Sequence, residues 1–272
     1  MATAQFTPPP ARDTPAFLRP IEEVGDLATF SGRAIAAAPA SFRYFAEVLR
    51  QIGILVVGST LVLCAMVAVI GGECALFFVY LTKPLGAGSF LGFLEVPCGI
   101  REMFPYMFGY IFSAKVGCGL VAEIGSMRIS NEIDALESIG MDPMRYVIGT
   151  RLLAIMIYVP VVYVLCLMSG LAGGWLAAVL QVHVLTAARY FQGYWSGQGL
   201  SDSLQSMVKI MSMALTVSLI GMYYGFKARG GPVGVGNAVA RSMMANMVMV
   251  HVIGAFWSEI FYSRGANYPF GG

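Results

Sequence analysis

The chain has 272 residues, of which 57% are hydrophobic and only 12% charged, and its formal net charge is +2. A soluble domain carries about 25% charged and about 45–50% apolar residues, so this composition excludes a soluble globular protein. The 17 basic and 15 acidic residues are too evenly balanced for a protein that binds nucleic acid. The mean hydropathy of +0.72 indicates a chain that lies largely within a membrane.

The first 50 residues lack a run apolar enough to cross a bilayer. Residues 1–15 are rich in proline and predict a disordered tail, without the apolar segment of a cleavable signal peptide. Residues 16–50 carry apolar side chains at helical spacing on both sides of Pro39, with charged side chains beside them. We expect amphipathic helices that lie on the membrane surface, and a small soluble helical hairpin is the alternative.

Residues 51–272 form the predicted membrane domain, because five apolar segments approach or exceed the about 20 residues that one crossing needs. The predicted spans are residues 51–81, 103–124, 152–180, 208–226 and 242–261. The first is long for one crossing, so we expect a bend near Gly71 and Gly72. The segment 83–100, rich in glycine and proline, predicts an outer loop with a short re-entrant or interfacial piece, and the glycine-rich segment 227–241 predicts a basic connector. The expected fold class is an all-α polytopic membrane protein.

Basic residues are unevenly distributed between the two sides that five crossings define. Eleven lie on the side of the N-terminus: Arg12, Arg19, Arg33, Arg43, Arg50, Arg128, Arg145, Arg151, Lys227, Arg229 and Arg241. Four lie on the other side: Lys83, Arg101, Arg189 and Arg264. Loops rich in Lys and Arg stay in the cytoplasm. We therefore expect a multi-pass protein of the inner membrane with a cytoplasmic N-terminus and an extracytoplasmic C-terminus.

A short helix is predicted over residues 129–140, between the second and third spans. Ser130 is a favourable N-cap, and Glu132 and Asp134 favour the positive end of the helix dipole. Gly140 suits the position just after the helix, with a proline close behind it. Such a helix can act as a rigid lever that a cytoplasmic protein pushes. A connector lying on the lipid surface is the alternative.

The predicted helix has an apolar side and an acidic side. Its apolar side holds Ile129, Ile133, Leu136 and Ile139, and its acidic side holds Glu132, Asp134 and Glu137. We expect the three carboxylates to be available to water or to a partner protein.

Residues 115–143 read KVGCGLVAEIGSMRISNEIDALESIGMDP and resemble the signature of the MlaE/YrbE permease family. The resemblance continues through residues 145–154 (RYVIGTRLLA) and reappears at residues 231–239 (GPVGVGNAV), where the family has a Gly-Val-Gly turn matched by Gly234 and Gly236. Lys115 stands where the family commonly has Arg. This departure and the long polar N-terminus look like the actinobacterial, mycobacterial YrbE branch.

The resemblance implies a permease subunit of an ABC-type lipid transporter. Its implied partners are a cytoplasmic ATPase dimer, a second YrbE-type chain in a heterodimer, and a hexamer of extracytoplasmic MCE proteins that form a lipid tunnel. The implied cargo is fatty acid, mycolic acid or sterol, moved inward. The residues implied in coupling to the ATPase are Arg128, Ser130, Glu132, Ile133, Asp134, Leu136, Glu137, Gly140 and Asp142.

No motif for catalysis or cofactor binding is found in the sequence. The glycine run ending at Gly236 is followed by Asn237 and not by the Lys-Ser/Thr of a nucleotide-binding loop, so ATP and Mg²⁺ are expected on a partner. His183 and His251 are isolated, and no metal site is expected. The five cysteines lack metal-ligand spacing and are predicted to be free thiols: Cys64, Cys74, Cys98, Cys118 and Cys166.

Four charged residues within or near the spans are candidates for polar contacts in a cavity. They are Glu73, Lys115, Glu123 and Lys209. Charges inside a membrane are costly and are commonly functional. We expect Glu73 to pair with Lys115 or Lys209.

Two other functions remain open on the sequence. A stand-alone secondary transporter or channel would need polar residues along its spans, and the uncharged run 152–180 argues against it. A structural membrane anchor of an envelope complex is the second alternative.

Overall fold

The computed structural model describes residues 19–263, which are almost entirely helical. Five helical segments are long and apolar enough to cross a membrane, and we number them spans 1 to 5: Pro39–Thr82, Gly88–Ile129, Met144–Gln181, Leu200–Phe226 and Gly231–Tyr262. The predicted fold class, an all-α polytopic membrane protein, is confirmed. The predicted disordered tail, residues 1–15, lies outside the described residues.

The helices, in chain order, combine α-helical runs with single π-helical turns. The α-helices are α1 Arg19–Ala37, α2 Phe45–Thr82, α3 Leu91–Val96, α4 Phe104–Phe112, α5 Cys118–Ile129, α6 Glu132–Ser138, α7 Thr150–Trp175, α8 Ala187–Gly197, α9 Leu200–Phe226 and α10 Gly231–Tyr262. The π-helical turns are Pro97–Met103 and Ser113–Gly117 in span 2, and Met144–Gly149 and Leu176–Gln181 in span 3. Turns of this kind are frequent at functional sites.

Consecutive spans run in opposite directions, so the bundle has two ends. We call the end with α1, α6 and the turn 227–230 the α6 end. We call the end with the turn 83–87 and α8 the α8 end. The two surface helices α1 and α8 therefore lie at opposite ends of the bundle.

Several spans extend further than the sequence predicts. The segment 83–100, expected as an outer loop, is helical from residue 88 onward. The expected connector 227–241 shrinks to a turn, since α10 begins at Gly231 with Pro232 in its first turn. Proline fits the start of a helix because the amide it lacks has no partner there. Inside a bilayer every backbone N–H and C=O group needs a hydrogen bond within the protein. Segments that contain glycine and proline therefore remain helical there.

The N-terminal amphipathic region divides into two parts. α1 is a separate helix over Arg19–Ala37, but residues 45–50, expected to be interfacial, form the first turns of α2 and continue into span 1. Of the predicted interfacial region, only α1 therefore forms a separate surface helix.

Spans 1 and 3 pack backbone against backbone. A Cβ atom at Gly71 would overlap the carbonyl oxygen of Gly170, and one at Gly173 would overlap that of Ala68. The predicted bend near Gly71 is not seen as a break, since α2 is one α-helix from Phe45 to Thr82. The glycine instead allows the close approach of two helices, as small residues commonly do in membranes.

A disulfide joins Cys74 of α2 to Cys98 of the first π-helical turn in span 2. The expectation of five free thiols is therefore wrong, and Cys64, Cys118 and Cys166 are the free cysteines. Sequence spacing carries no signal for this pair, because the two cysteines meet only where the start of span 2 returns alongside α2.

Candidate functional site

α6 is separated from α5 by a sharp corner at Asn131. Asn131 adopts a left-handed conformation with φ 60°, which Asn tolerates better than most residues. Ser130 closes α5, and its hydroxyl donates to the carbonyl oxygen of Ser126 at 2.9 Å. The prediction of Ser130 as the N-cap of α6 is therefore wrong, because the chain turns one residue later.

The other end of α6 is closed by a glycine with φ 82°, Gly140. Its N–H donates to the carbonyl oxygen of Glu137 at 3.0 Å, and the N–H of Met141 donates to that of Leu136 at 3.0 Å. These two bonds form a Schellman motif, which satisfies the last carbonyl groups of a helix. α6 is thus shorter than the predicted 129–140, but it is closed at its C-terminal end.

Two of the three acidic residues on α6 are engaged within the chain. Asp134 accepts a hydrogen bond from Arg128 at 2.6 Å, and Glu132 accepts one from the Ser130 hydroxyl at 2.8 Å. All three side chains are nevertheless exposed, so all three carboxylates remain accessible to water, as expected. Glu137 is exposed, and its carboxylate forms no hydrogen bond or ion pair with the rest of residues 19–263.

The apolar residues of α6 are divided between the core and the surface. Ile133 is fully buried, Leu136 is half-buried, and Ile139 is 71% exposed. The predicted single apolar side is therefore not formed, because the corner at Asn131 rotates α6 away from α5. Glu137 and Ile139 form an outward-facing tip.

Asp142 has a local structural role at the start of span 3. Its carboxylate accepts a hydrogen bond from the N–H of Met144 at 2.9 Å and lies 3.1 Å from Nε of Arg145. An acidic side chain in this position satisfies a free amide at a helix N-terminus. Asp142 thereby joins the end of the α6 segment to span 3.

Glu123 forms an ion pair with Arg151, which connects spans 2 and 3 near α6. Their Oε1 and Nη2 atoms are 2.6 Å apart, and the Arg151 side chain is only 6% exposed. Arg151 also donates to the carbonyl oxygen of Val147 at 2.9 Å. The sequence gives Arg151 no role beyond its charge, because its partner is 28 residues away.

Lys209 lies at the centre of a polar network towards the α8 end. Its ammonium group is 2.9 Å from the carboxylate of Glu102 and donates to Ser258 Oγ at 2.8 Å and to the carbonyl oxygen of Arg101 at 3.0 Å. The predicted pairing of Lys209 with Glu73 is wrong. Glu102 and Ser258 were not singled out from the sequence, because they lie on different spans from Lys209.

A second buried ion pair lies beside this network. Nε of Arg101 is 2.9 Å from the carboxylate of Asp202, and both side chains are less than 10% exposed. The Tyr262 ring lies 5.3 Å from the Arg101 guanidinium. Arg101 and Asp202 both lie just before a predicted span, 103–124 and 208–226 respectively. Both enter the bundle because spans 2 and 4 begin earlier than predicted.

Glu73 and Lys115 are exposed on the surface of the single chain and form no ion pair within residues 19–263. Cys98 is bonded to Cys74, next to Glu73, whereas Lys115 lies 17 residues further along span 2. At 1.5 Å per helical residue this separates the two by about 25 Å along the bundle, so they cannot pair within one chain. Both face outward, towards lipid or another subunit.

Gly234 and Gly236 lie within the first turns of α10 and not in a turn before it. A Cβ at Gly234 would overlap the carbonyl oxygen of Arg229. The chain turns earlier, at Gly230 and Gly231, which have φ of 87° and 69° and precede Gly234 and Gly236 by four and five residues. Across residues 19–263 no group of three or more His, Cys, Asp or Glu side chains could hold a metal ion.

Five helices able to cross a membrane, with ion pairs buried between them and a short helix at one end, define a polytopic helical membrane protein. The family model described as Permease MlaE matches residues 48–260. The chain belongs to the MlaE permease family. The finer assignment to an actinobacterial YrbE branch remains a prediction.

Curated relatives cover most of this chain at low identity. A protein from Rickettsia conorii named "Probable ABC transporter permease protein" is 25% identical over 243 residues, which cover 89% of this chain and 93% of that protein. The intermembrane phospholipid transport system permease protein MlaE of Haemophilus influenzae is 26% identical over 237 residues, covering 85% and 89%. A similarly named ABC permease from Synechocystis is 25% identical over 162 residues, covering 60% and 62%.

Proposed function

We propose that this chain is the permease subunit of an ABC-type MCE lipid transport system of the inner membrane. It moves hydrophobic lipid between the membrane and an extracytoplasmic MCE protein tunnel, and a separate ATPase supplies the energy. The family and the names of the Rickettsia and Haemophilus relatives support a transport role. The observation that carries the coupling to an ATPase is the geometry of α6.

α6 is built as a rigid projection. Ile133 anchors it in the core, the Arg128–Asp134 ion pair fixes it to α5, and the Schellman motif ends it. The tip formed by Glu137 and Ile139 is left for a partner. An exposed apolar side chain next to a carboxylate suits a protein groove better than an anionic lipid surface.

The proposed orientation sets the α6 end in the cytoplasm. The 11-to-4 distribution of basic residues favours this orientation by the positive-inside rule. The Cys74–Cys98 disulfide is consistent with it, because Cys74 is closer to Thr82, at the α8 end, than to Phe45. Disulfides persist on the oxidising, extracytoplasmic side. The N-terminus is then cytoplasmic and the C-terminus extracytoplasmic.

The proposed assembly contains two permease chains, an ATPase dimer that binds ATP and Mg²⁺, and a hexamer of MCE proteins. The second permease chain is a YrbE-type protein in a heterodimer. It would cover the exposed Glu73 and Lys115, which have no partner in residues 19–263. The proposed cargo is fatty acid, mycolic acid or sterol, moved inward. The Haemophilus relative is named for phospholipid, which is the competing cargo.

Co-purification from the native membrane tests this function. The wild-type chain, solubilised in mild detergent, is expected to bring an ATPase and MCE subunits with it. Glu137→Arg reverses the charge at the tip and should reduce recovery of the ATPase at least tenfold, while MCE subunits are retained. Glu259→Arg is the matched control, since Glu259 is exposed near the α8 end.

Two outcomes contradict the proposal. If Glu137→Arg retains both the ATPase and lipid transport, α6 is not the coupling element. If wild-type chain brings MCE subunits but no ATPase, a structural anchor is the better interpretation.

A further inference from the structure

A cavity of about 510 Å³ lies between α1 and the α6 ends of α9 and α10. Ligand pockets commonly measure about 300–1,000 Å³, so this one can hold a small polar group. One wall is acidic and comes from α1. The opposite wall is basic and comes from the turn between spans 4 and 5 and the start of α10.

The acidic wall is already engaged within the protein. Lys227 donates to the carboxylate of Asp26 and lies 3.1 Å from the hydroxyl of Tyr223. Tyr224 donates to the carboxylate of Glu23 at 2.8 Å. Burial lowers the pKa of Lys227, but its contacts with Asp26 and Tyr223 outweigh this effect and the pKa is raised. Lys227 therefore remains charged at neutral pH and holds α1 in place.

The basic wall contains two cations without a partner. Arg229 and Arg241 both line the cavity and are exposed, and neither guanidinium group forms a hydrogen bond or ion pair with another residue in 19–263. Gly230 and Gly231, both with positive φ, turn the chain so that Arg229 lies beside the first turn of α10. Three carboxylates (Glu22, Glu23 and Asp26) and three cations (Lys227, Arg229 and Arg241) line the cavity, so their charges balance. Arg229 and Arg241 are the two of these cations whose side chains have no ion pair within residues 19–263.

We propose that this cavity binds the phosphate group of an inner-leaflet phospholipid headgroup, held by Arg229 and Arg241. The planar fork of Arg matches phosphate oxygens, and two such groups can hold one phosphate from different sides. The cavity lies at the α6 ends of spans 4 and 5, beside the surface helix α1, where headgroups of the adjacent leaflet are found. The assignment to the inner leaflet depends on the proposed function, which sets the α6 end in the cytoplasm. The binding of phosphate by the two arginines does not depend on that orientation.

Binding is measured on the purified full-length chain in an uncharged detergent, without partner subunits. Soluble dihexanoyl phosphatidylglycerol and inorganic phosphate are titrated separately by calorimetry. The double variant Arg229→Gln/Arg241→Gln should bind the lipid at least about tenfold more weakly, because each charge-assisted contact contributes about that factor. Arg43→Gln is the matched control, since Arg43 is exposed at the same end but does not line the cavity.

The outcomes separate the possible ligands. Lipid binding that depends on the two arginines, with inorganic phosphate binding much more weakly, supports the proposal. Equal affinity for inorganic phosphate identifies a free anion and overturns the lipid assignment. Equal loss in Arg43→Gln, or unchanged binding by the double variant, overturns the site. If wild-type chain binds neither probe and the arginines are needed only for ATPase recovery, the surface is a protein contact, which also overturns the proposal.

A second double variant covers the case in which the Gln variant folds poorly. If the Gln variant melts at a lower temperature than wild type, binding is measured on Arg229→Lys/Arg241→Lys instead. This pair keeps both charges but lacks the fork, so an intermediate loss of affinity is expected. Wild-type affinity in the Lys pair contradicts recognition by the guanidinium groups. Failure of the proposed transport function would leave this binding result unchanged, since no partner is present.

Discussion

The ammonium group of Lys209 lies 2.9 Å from the carboxylate of Glu102, and the Lys209 side chain is only 1% exposed. Span 4 supplies the cation and span 2 the anion, while Ser258 of span 5 contacts both. The buried ammonium group of Lys209 thus connects spans 2, 4 and 5.

Lys209→Met is expected to destabilise the protein by about 3 kcal/mol, because it leaves Glu102 next to an apolar site. Glu102 is 35% exposed, so the effect falls at the lower end of the range for buried pairs. The double variant Glu102→Leu/Lys209→Met should recover part of this loss, since it removes both charges. Unfolding in SDS titrations measures both values. A single variant as stable as wild type would contradict the role of this pair.

Gly71→Ala should destabilise the packing of spans 1 and 3 by about 1–3 kcal/mol, because the new Cβ meets the backbone of α7. Gly58→Ala is the control on the same helix, where a Cβ meets nothing within 4 Å. It should be neutral or stabilising by up to about 1 kcal/mol through helix propensity. The measurement is the shift in melting temperature in detergent. Equal effects of both variants would show that the close approach at Gly71 is not required.

Ile133→Ala and Ile139→Ala are expected to separate the stability of α6 from its contact with a partner. Ile133 is fully buried, and losing a buried Ile side chain costs about 2–5 kcal/mol, so α6 should open locally. Hydrogen exchange across residues 132–138 should then accelerate. Ile139 is 71% exposed, so its variant should keep wild-type exchange yet recover less ATPase. Slow exchange in Ile133→Ala would mean that burial of this residue does not hold α6.

Thiol counting checks the disulfide. The denatured, unreduced chain should react with three maleimide groups, at Cys64, Cys118 and Cys166, and with all five cysteines after reduction. Cys74→Ala should expose Cys98 to labelling and cost about 3 kcal/mol, as expected for opening a loop with a separation of 24 residues. Cys118→Ala serves as the control. Five labelled thiols without reduction would exclude the bond.

The sequence predicted the number of spans and their order, because long apolar runs are a strong and local signal. It was less accurate at span ends. Residues 88–100 and 231–241 contain glycine and proline, which indicate loops in water but remain helical in a bilayer. Residue pairs were the least predictable feature. Glu102 and Lys209 are 107 residues apart, and no local pattern indicates which faces of their spans meet.

Contacts between side chains were also hard to predict within the short segment around α6. Its existence and its closing glycine followed from local preferences, and Gly140 has the expected positive φ. The helix start moved from Ser130 to beyond Asn131, because a left-handed residue at the corner allows the Arg128–Asp134 ion pair to form. Which carboxylates also contact the chain depends on these local bonds, and composition alone does not indicate it.

The glycine contacts between spans 1 and 3 also provide a fixed reference within a moving transporter. The two helices touch through backbone atoms at Gly71 and Gly173, and side-chain contacts between Thr60 and Tyr158 and between Cys64 and Cys166 join them at other levels. Spin labels at Val57 and Val161, which are 88% and 65% exposed, would therefore keep a constant separation through the nucleotide cycle. Pulsed-dipolar distances from either label to a second label on span 4 or 5 would then report how far that span moves relative to spans 1 and 3.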